Sequence, residues 1–67
     1  MPNSDDLHWF QNAKGMKVQE VLATYGQPKS RTPMNNGIMR WHYPWLASAY
    51  IDFKDGTAVS VFYTAGY

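Results

Sequence analysis

Sixty-seven residues carrying a formal net charge of +1, from six Lys/Arg against five Asp/Glu, set the first limits. A chain this short holds one domain, here residues 1–67, and it buries only about 60% of its unfolded surface, so its stability is marginal and a partner or second copy would add to it. Charge without runs of either sign gives no basic footprint for nucleic acid, and the absence of cysteine removes disulfides, zinc–thiolate sites and thiol nucleophiles together.

Ser4 is placed to cap a helix whose first turn carries Asp5 and Asp6 at the positive end of its dipole. With Leu7, Trp9 and Phe10 as apolar contacts, this predicts a first short helix over about residues 5–13, ended by Lys14-Gly15. Residues 1–4 and 65–67 are expected to fray. A second helix follows at once. Val18, Val21, Leu22 and Tyr25 fall at i, i+3, i+4 and i+7, one apolar stripe, while Lys17, Gln19, Glu20 and Thr24 face water. Glu20 stands at the capping-box position and Met16 and Val21 at staple spacing, yet Lys17 at the cap has no side-chain acceptor. Gly26 and Pro28 end the helix.

From Gln27 to Gly37 two prolines and an Asn-Gly pair predict a loop or an irregular edge. Ile38 to Tyr43, Ala49 to Phe53 and Thr57 to Tyr63 are rich in β-branched and aromatic residues and predict three strands, with Pro44 closing the first. Hydrophobic sorting favours a three-residue Lys54-Asp55-Gly56 loop with a bulge, which aligns Phe53, Ile51 and Ala49 with Thr57, Val59 and Val61. Carried into the first strand, the same face sets Tyr43 opposite Ala49, Trp41 opposite Ile51 and Met39 opposite Phe53. The helices are then expected to cover Met39, Trp41, Tyr43, Ile51, Phe53, Val59, Val61 and Tyr63. On the other face Arg40 meets Asp52 and His42 meets Tyr50, an opposite-charge pair and an aromatic pair. The predicted fold is α+β: two short helices packed on one face of a three-stranded antiparallel β-meander, ααβββ.

Gly15-Met16, a helix reaching Val21, the closing Gly26-x-Pro28, a Trp41-His42-Tyr43 strand and a Phe53-Lys54-Asp55-Gly56 hairpin occur in one order across residues 15 to 64. In that order they resemble the BamE-like (SmpA/OmlA) small outer-membrane lipoprotein domain, and more distantly the repeat of β-lactamase inhibitor proteins. The resemblance implies an ααβββ fold and a non-enzymatic protein-binding module that supports assembly of the outer-membrane β-barrel machinery. Its partners are then other assembly subunits and, by family implication, anionic lipid. The Gly15-Met16, Trp41 and Tyr43 matches look structural. A soluble inhibitor or adaptor is the alternative. Localisation by the resemblance is the periplasmic face of the outer membrane, given a lipidated precursor. As it stands, the chain has no lipobox cysteine, and its Met1 to Asp6 start lacks a secretion signal, so a soluble, cytoplasmic protein is the other expectation.

Chemistry is sparse. His8 and His42 have no second ligand at metal spacing, no serine sits in an activating motif, and the five glycines sit singly, so no catalytic residue, metal or cofactor is expected and the chain is read as not an enzyme. The informative surface is aromatic. The uncovered face of the sheet holds Arg40, His42, Tyr50 and Phe62, extended by Trp45 and Leu46 in the loop after Pro44. These six residues are the candidate partner-binding set, for another protein or for a homodimer. Two placements of Trp45 and Leu46 stay open, exposed or folded over the core edge. A third use of the face is single-stranded nucleic acid, which has stacking groups there but little charge to hold it.

Overall fold

The computed structural model describes residues 4–44 and 48–63. Helices α1 (Ser4–Gln11) and α2 (Val18–Tyr25) are followed by strands β1 (Ser30–Pro33), β2 (Ile38–Tyr43), β3 (Ala49–Lys54) and β4 (Thr57–Tyr63). Trp45 and Leu46 lie outside the described residues. The α+β class and the two short helices agree with the sequence reading, but the sheet has four antiparallel strands in the order β1-β2-β3-β4, not three.

Helix α2 begins and ends where its sequence says. Lys17 is extended at the cap (φ −81°, ψ 161°), and its N–H donates to Oε1 of Glu20 at 2.9 Å. The reciprocal half of the box is missing because an ammonium group only donates. Lys17→Ser or Lys17→Thr is therefore expected to raise stability by about 0.5–1 kcal/mol, seen as a higher denaturant midpoint at unchanged slope. Lower midpoints in both variants would show that Lys17 makes a contact worth more than the cap. At the far end Gly26 sits at φ 84°, ψ −168°, a backbone region essentially closed to residues with a Cβ. Its N–H closes the last turn on the Leu22 carbonyl at 3.0 Å.

The added strand is a correction to the loop expected over 27–37. Ser30, Arg31, Thr32 and Pro33 pair with His42, Trp41, Arg40 and Met39, and all four are exposed. A proline survives here because of its position. The Met34 N–H bonds the Ile38 carbonyl at 2.7 Å, so by the antiparallel alternation residue 33 faces away from β2, and its missing N–H breaks no ladder bond.

Between β2 and β3 the register is the expected one: Arg40 opposite Asp52, Trp41 opposite Ile51, His42 opposite Tyr50 and Tyr43 opposite Ala49. Between β3 and β4 it is not. Lys54 pairs with Thr57 around a two-residue turn in which Asp55 (φ 55°) and Gly56 (φ 81°) both adopt positive φ, the mirror-image turn that matches strand twist. The one-residue offset that hydrophobic sorting demands comes later, as a bulge opposite the Asp52–Phe53 step. Val59 is the extra residue there and is 42% exposed, so its expected place on the covered face is overturned; Met39 keeps its expected position opposite Phe53 but is 38% exposed, so the helices do not cover it. Beyond the bulge Ile51 meets Val61 and Ala49 meets Tyr63, and Val61 and Tyr63 pack on the core.

The elbow between the helices is bonded to the outer edge of β4. Gly15 N–H bonds the Ala58 carbonyl and Ala58 N–H bonds the Met16 carbonyl, each at 2.8 Å, while Val18 N–H reaches the Gly56 carbonyl at 3.1 Å. This lays α1 and α2 over one face. Phe10, Val21, Tyr25, Trp41, Tyr43, Ile51 and Phe53 form the core with Ala13, Ala49 and Ala58. Phe10 packs edge-on against Tyr25 (5.1 Å between centroids) and Tyr43 (5.4 Å).

Two phenols fasten the helices: Tyr25 donates to the Trp9 carbonyl, and Tyr43 to the Gly26 carbonyl at 2.9 Å. Burial pushes the Tyr43 hydroxyl up to about 12; Arg31 opposes this and Tyr25 adds to it. Tyr25 and Tyr63 shift up in the same direction, both chiefly through burial. The folded chain thus keeps a proton that the unfolded chain releases near 10.0. The stabilisation is fully present below that pH and is expected to disappear as pH rises through about 12. A denaturation midpoint that stays level across that window would contradict a neutral, hydrogen-bonded Tyr43.

Candidate functional site

One face of the sheet carries the helices and the other does not. Alternation along β2, β3 and β4 places Arg40, His42, Tyr50, Asp52 and Phe62 on the second face, in two cross-strand rows: His42–Tyr50–Phe62 and Arg40–Asp52–Ser60. Four of the six candidate residues, Arg40, His42, Tyr50 and Phe62, are brought together here.

The first row is a stack of rings. His42 and Tyr50 lie 4.8 Å apart at 17°, and Tyr50 and Phe62 lie 5.2 Å apart at 19°. Spacing close to the interstrand distance lets each ring rest on the next, which rigidifies the row. The geometry has a consequence for ligands. Both faces of Tyr50 are occupied by its neighbours, so this ring presents its rim and has no open face on which a base could stack.

Arg40 ties the second row to the first. Its Nε donates to Asp52 Oδ1 at 2.8 Å and its Nη2 to Oδ2 at 3.0 Å, a bidentate pair. The guanidinium carbon stands 4.8 Å from the Phe62 ring centre and 5.9 Å from that of Tyr50. Hydrogen bonding to Asp52 raises the Arg40 pKa, against a smaller opposing effect of burial. Asp52 is 8% exposed, while the Arg40 side chain keeps 33% of its surface in solvent. Two of the five guanidinium N–H groups serve Asp52, and three remain for other acceptors.

His42 differs from its expected role as an exposed partner of Tyr50 in one respect. Its Nε2 is buried and has no hydrogen-bond partner among the described residues. Among the described residues no three His, Cys, Asp or Glu side chains converge as a metal site would require. No described helix is long and apolar enough to cross a membrane.

A second arginine site lies on the helix-bearing side. Arg31 of β1 sits 4.7 Å over the Trp41 ring and donates to Gln27 Oε1 at 2.6 Å. It shields a tryptophan that is 4% exposed.

Compared with family models, with curated proteins and with solved structures, the chain matches none.

Proposed function

We propose that this domain is a non-catalytic binding module whose uncovered sheet face docks another protein. The observation that carries the reading is the rigid, partly exposed His42–Tyr50–Phe62 stack with Arg40 locked beside it. A sheet with one face packed ordinarily turns simple polar residues to water on the other. Here the face concentrates aromatic and arginine side chains, the types enriched in interface centres, already held in place before a partner arrives. The resemblance to BamE-like domains would make the partner a subunit of the outer-membrane β-barrel assembly machinery, with the chain at the periplasmic side. The runner-up is a soluble inhibitor or adaptor.

Chemical-shift mapping with soluble domains of assembly subunits, and separately with a β-lactamase, distinguishes these partners. The expected result is a cluster of perturbed resonances at Arg40, His42, Tyr50 and Phe62 with one of the two. Phe62→Thr, which keeps a β-branched residue in the strand, should weaken that association roughly tenfold. Because Phe62 and Tyr50 support each other, the variant is also expected to lose about 1 kcal/mol of stability, so thermal melts must accompany the titration. Perturbations confined to the helices would refute the docking face, and a sedimentation dimer that buries this face would replace the partner by a second copy.

A further inference from the structure

The open face has a chemical bias that says what kind of segment it takes. From Val21 to Ile51 the chain contains no Asp or Glu, and of its three cations, Lys29, Arg31 and Arg40, Arg31 turns to the helix-bearing side over Trp41. That stretch supplies β1, β2 and the start of β3. On the face itself the cations are Arg40 and, two residues beyond Asp52 on the same side of β3, Lys54, which stands opposite Ile38. The one acid of this group, Asp52, is engaged by Arg40 through both carboxylate oxygens.

Arg40 is the centre of this surface. An arginine in solution must give up rotamer freedom to grip a ligand, but this one is already fixed by two hydrogen bonds and by the Phe62 and Tyr50 rings. It keeps part of its surface in water and three N–H groups unassigned to Asp52. The planar fork suits a second carboxylate. Tyr50 acts in the same direction, since its ring lies between His42 and Phe62 and offers its rim, the electropositive part of the aromatic quadrupole.

We infer that the partner segment docked on this face is acidic, with one of its carboxylates seated on the outer N–H groups of Arg40 beside the Tyr50 and Phe62 rings. The inference rests on the binding-module reading and narrows it. A random peptide library displayed against the immobilised full chain provides the test, followed by shift mapping of synthetic copies of the enriched peptides. Enriched peptides are expected to carry Asp or Glu next to an apolar residue and to perturb Arg40, Tyr50 and Phe62. Changing their acids to Asn or Gln should weaken binding roughly tenfold, and raising the salt concentration should weaken it further.

Arg40→Gln alone strands Asp52 and could unfold the chain, so the protein-side variants are Lys54→Gln and the paired Arg40→Gln/Asp52→Asn. Each should reduce the affinity for acidic peptides and leave that of their Asn/Gln copies unchanged. Neutral or basic peptides mapping to this face overturn the acidic inference and leave the binding module standing. Peptides that map only to the helices, or a failure of any peptide to map to the sheet, overturn both. A single-stranded oligonucleotide that outcompetes the acidic peptides at the same residues overturns both as well.

Discussion

Phe10→Ala is expected to leave most of the chain unfolded at room temperature. Among the described side chains of α1, Phe10 alone is fully buried; His8, Trp9 and Gln11 are exposed. Its ring meets Tyr25, Tyr43 and Tyr63, so it is the point through which the first helix reaches both α2 and the sheet. Truncating a buried phenylalanine costs about 3–5 kcal/mol, and a core of this size rarely supplies more than about 3–5 kcal/mol in total. The two quantities are comparable. The loss should appear as a missing thermal transition in circular dichroism, while Phe10→Leu, which keeps most of the volume, should melt cooperatively after losing about 1 kcal/mol. An alanine variant that melts within a few degrees of the parent would mean that α1 contributes little to the core.

The Arg40–Asp52 pair should show strong coupling. Arg40→Met alone leaves Asp52, 8% exposed, without its counter-ion, and the expected loss is roughly 2–4 kcal/mol, set below the fully buried case because the Arg40 side chain is one-third exposed. Arg40→Met combined with Asp52→Leu removes the stranded charge and should return to within about 1 kcal/mol of the parent. Urea midpoints for the two single variants and the double close the cycle. Additive losses would show that the two side chains act independently despite their bidentate geometry.

The two regions read from sequence with opposite success differ in how much chemistry their residues impose. The β2–β3 register was legible because four adjacent pairs agree, with Trp41 on Ile51 and Tyr43 on Ala49 on one face and Arg40 on Asp52 and His42 on Tyr50 on the other. A slip by one residue would have broken all of them. The candidate stack followed from the same register. The β3–β4 turn was misread for an instructive reason. Sorting Val61 and Tyr63 onto the core does require an offset, but the sequence cannot say whether the turn or the strand absorbs it. Asp55-Gly56 is well suited to the two-residue turn, and Val59 takes the irregularity at moderate cost because a valine side chain can stand in solvent. Strand β1 was illegible because its residues, Ser30-Arg31-Thr32-Pro33, bury nothing. An edge strand whose own residues are all exposed leaves no hydrophobic pattern to detect.

The elbow that pairs Gly15 and Met16 with Ala58 also sets an order on how this chain can assemble. Each strand of the meander finds its neighbour across a short connection, whereas the elbow must close over roughly forty residues before its bonds can form. Until β4 is in place there is no edge for residues 15–18 to join, and the helices have no floor. The strands should therefore come together first and the helices dock afterwards. A force applied at the amino terminus meets the elbow bonds early, so it would peel the helical layer away while the aromatic stack on the opposite face stays intact.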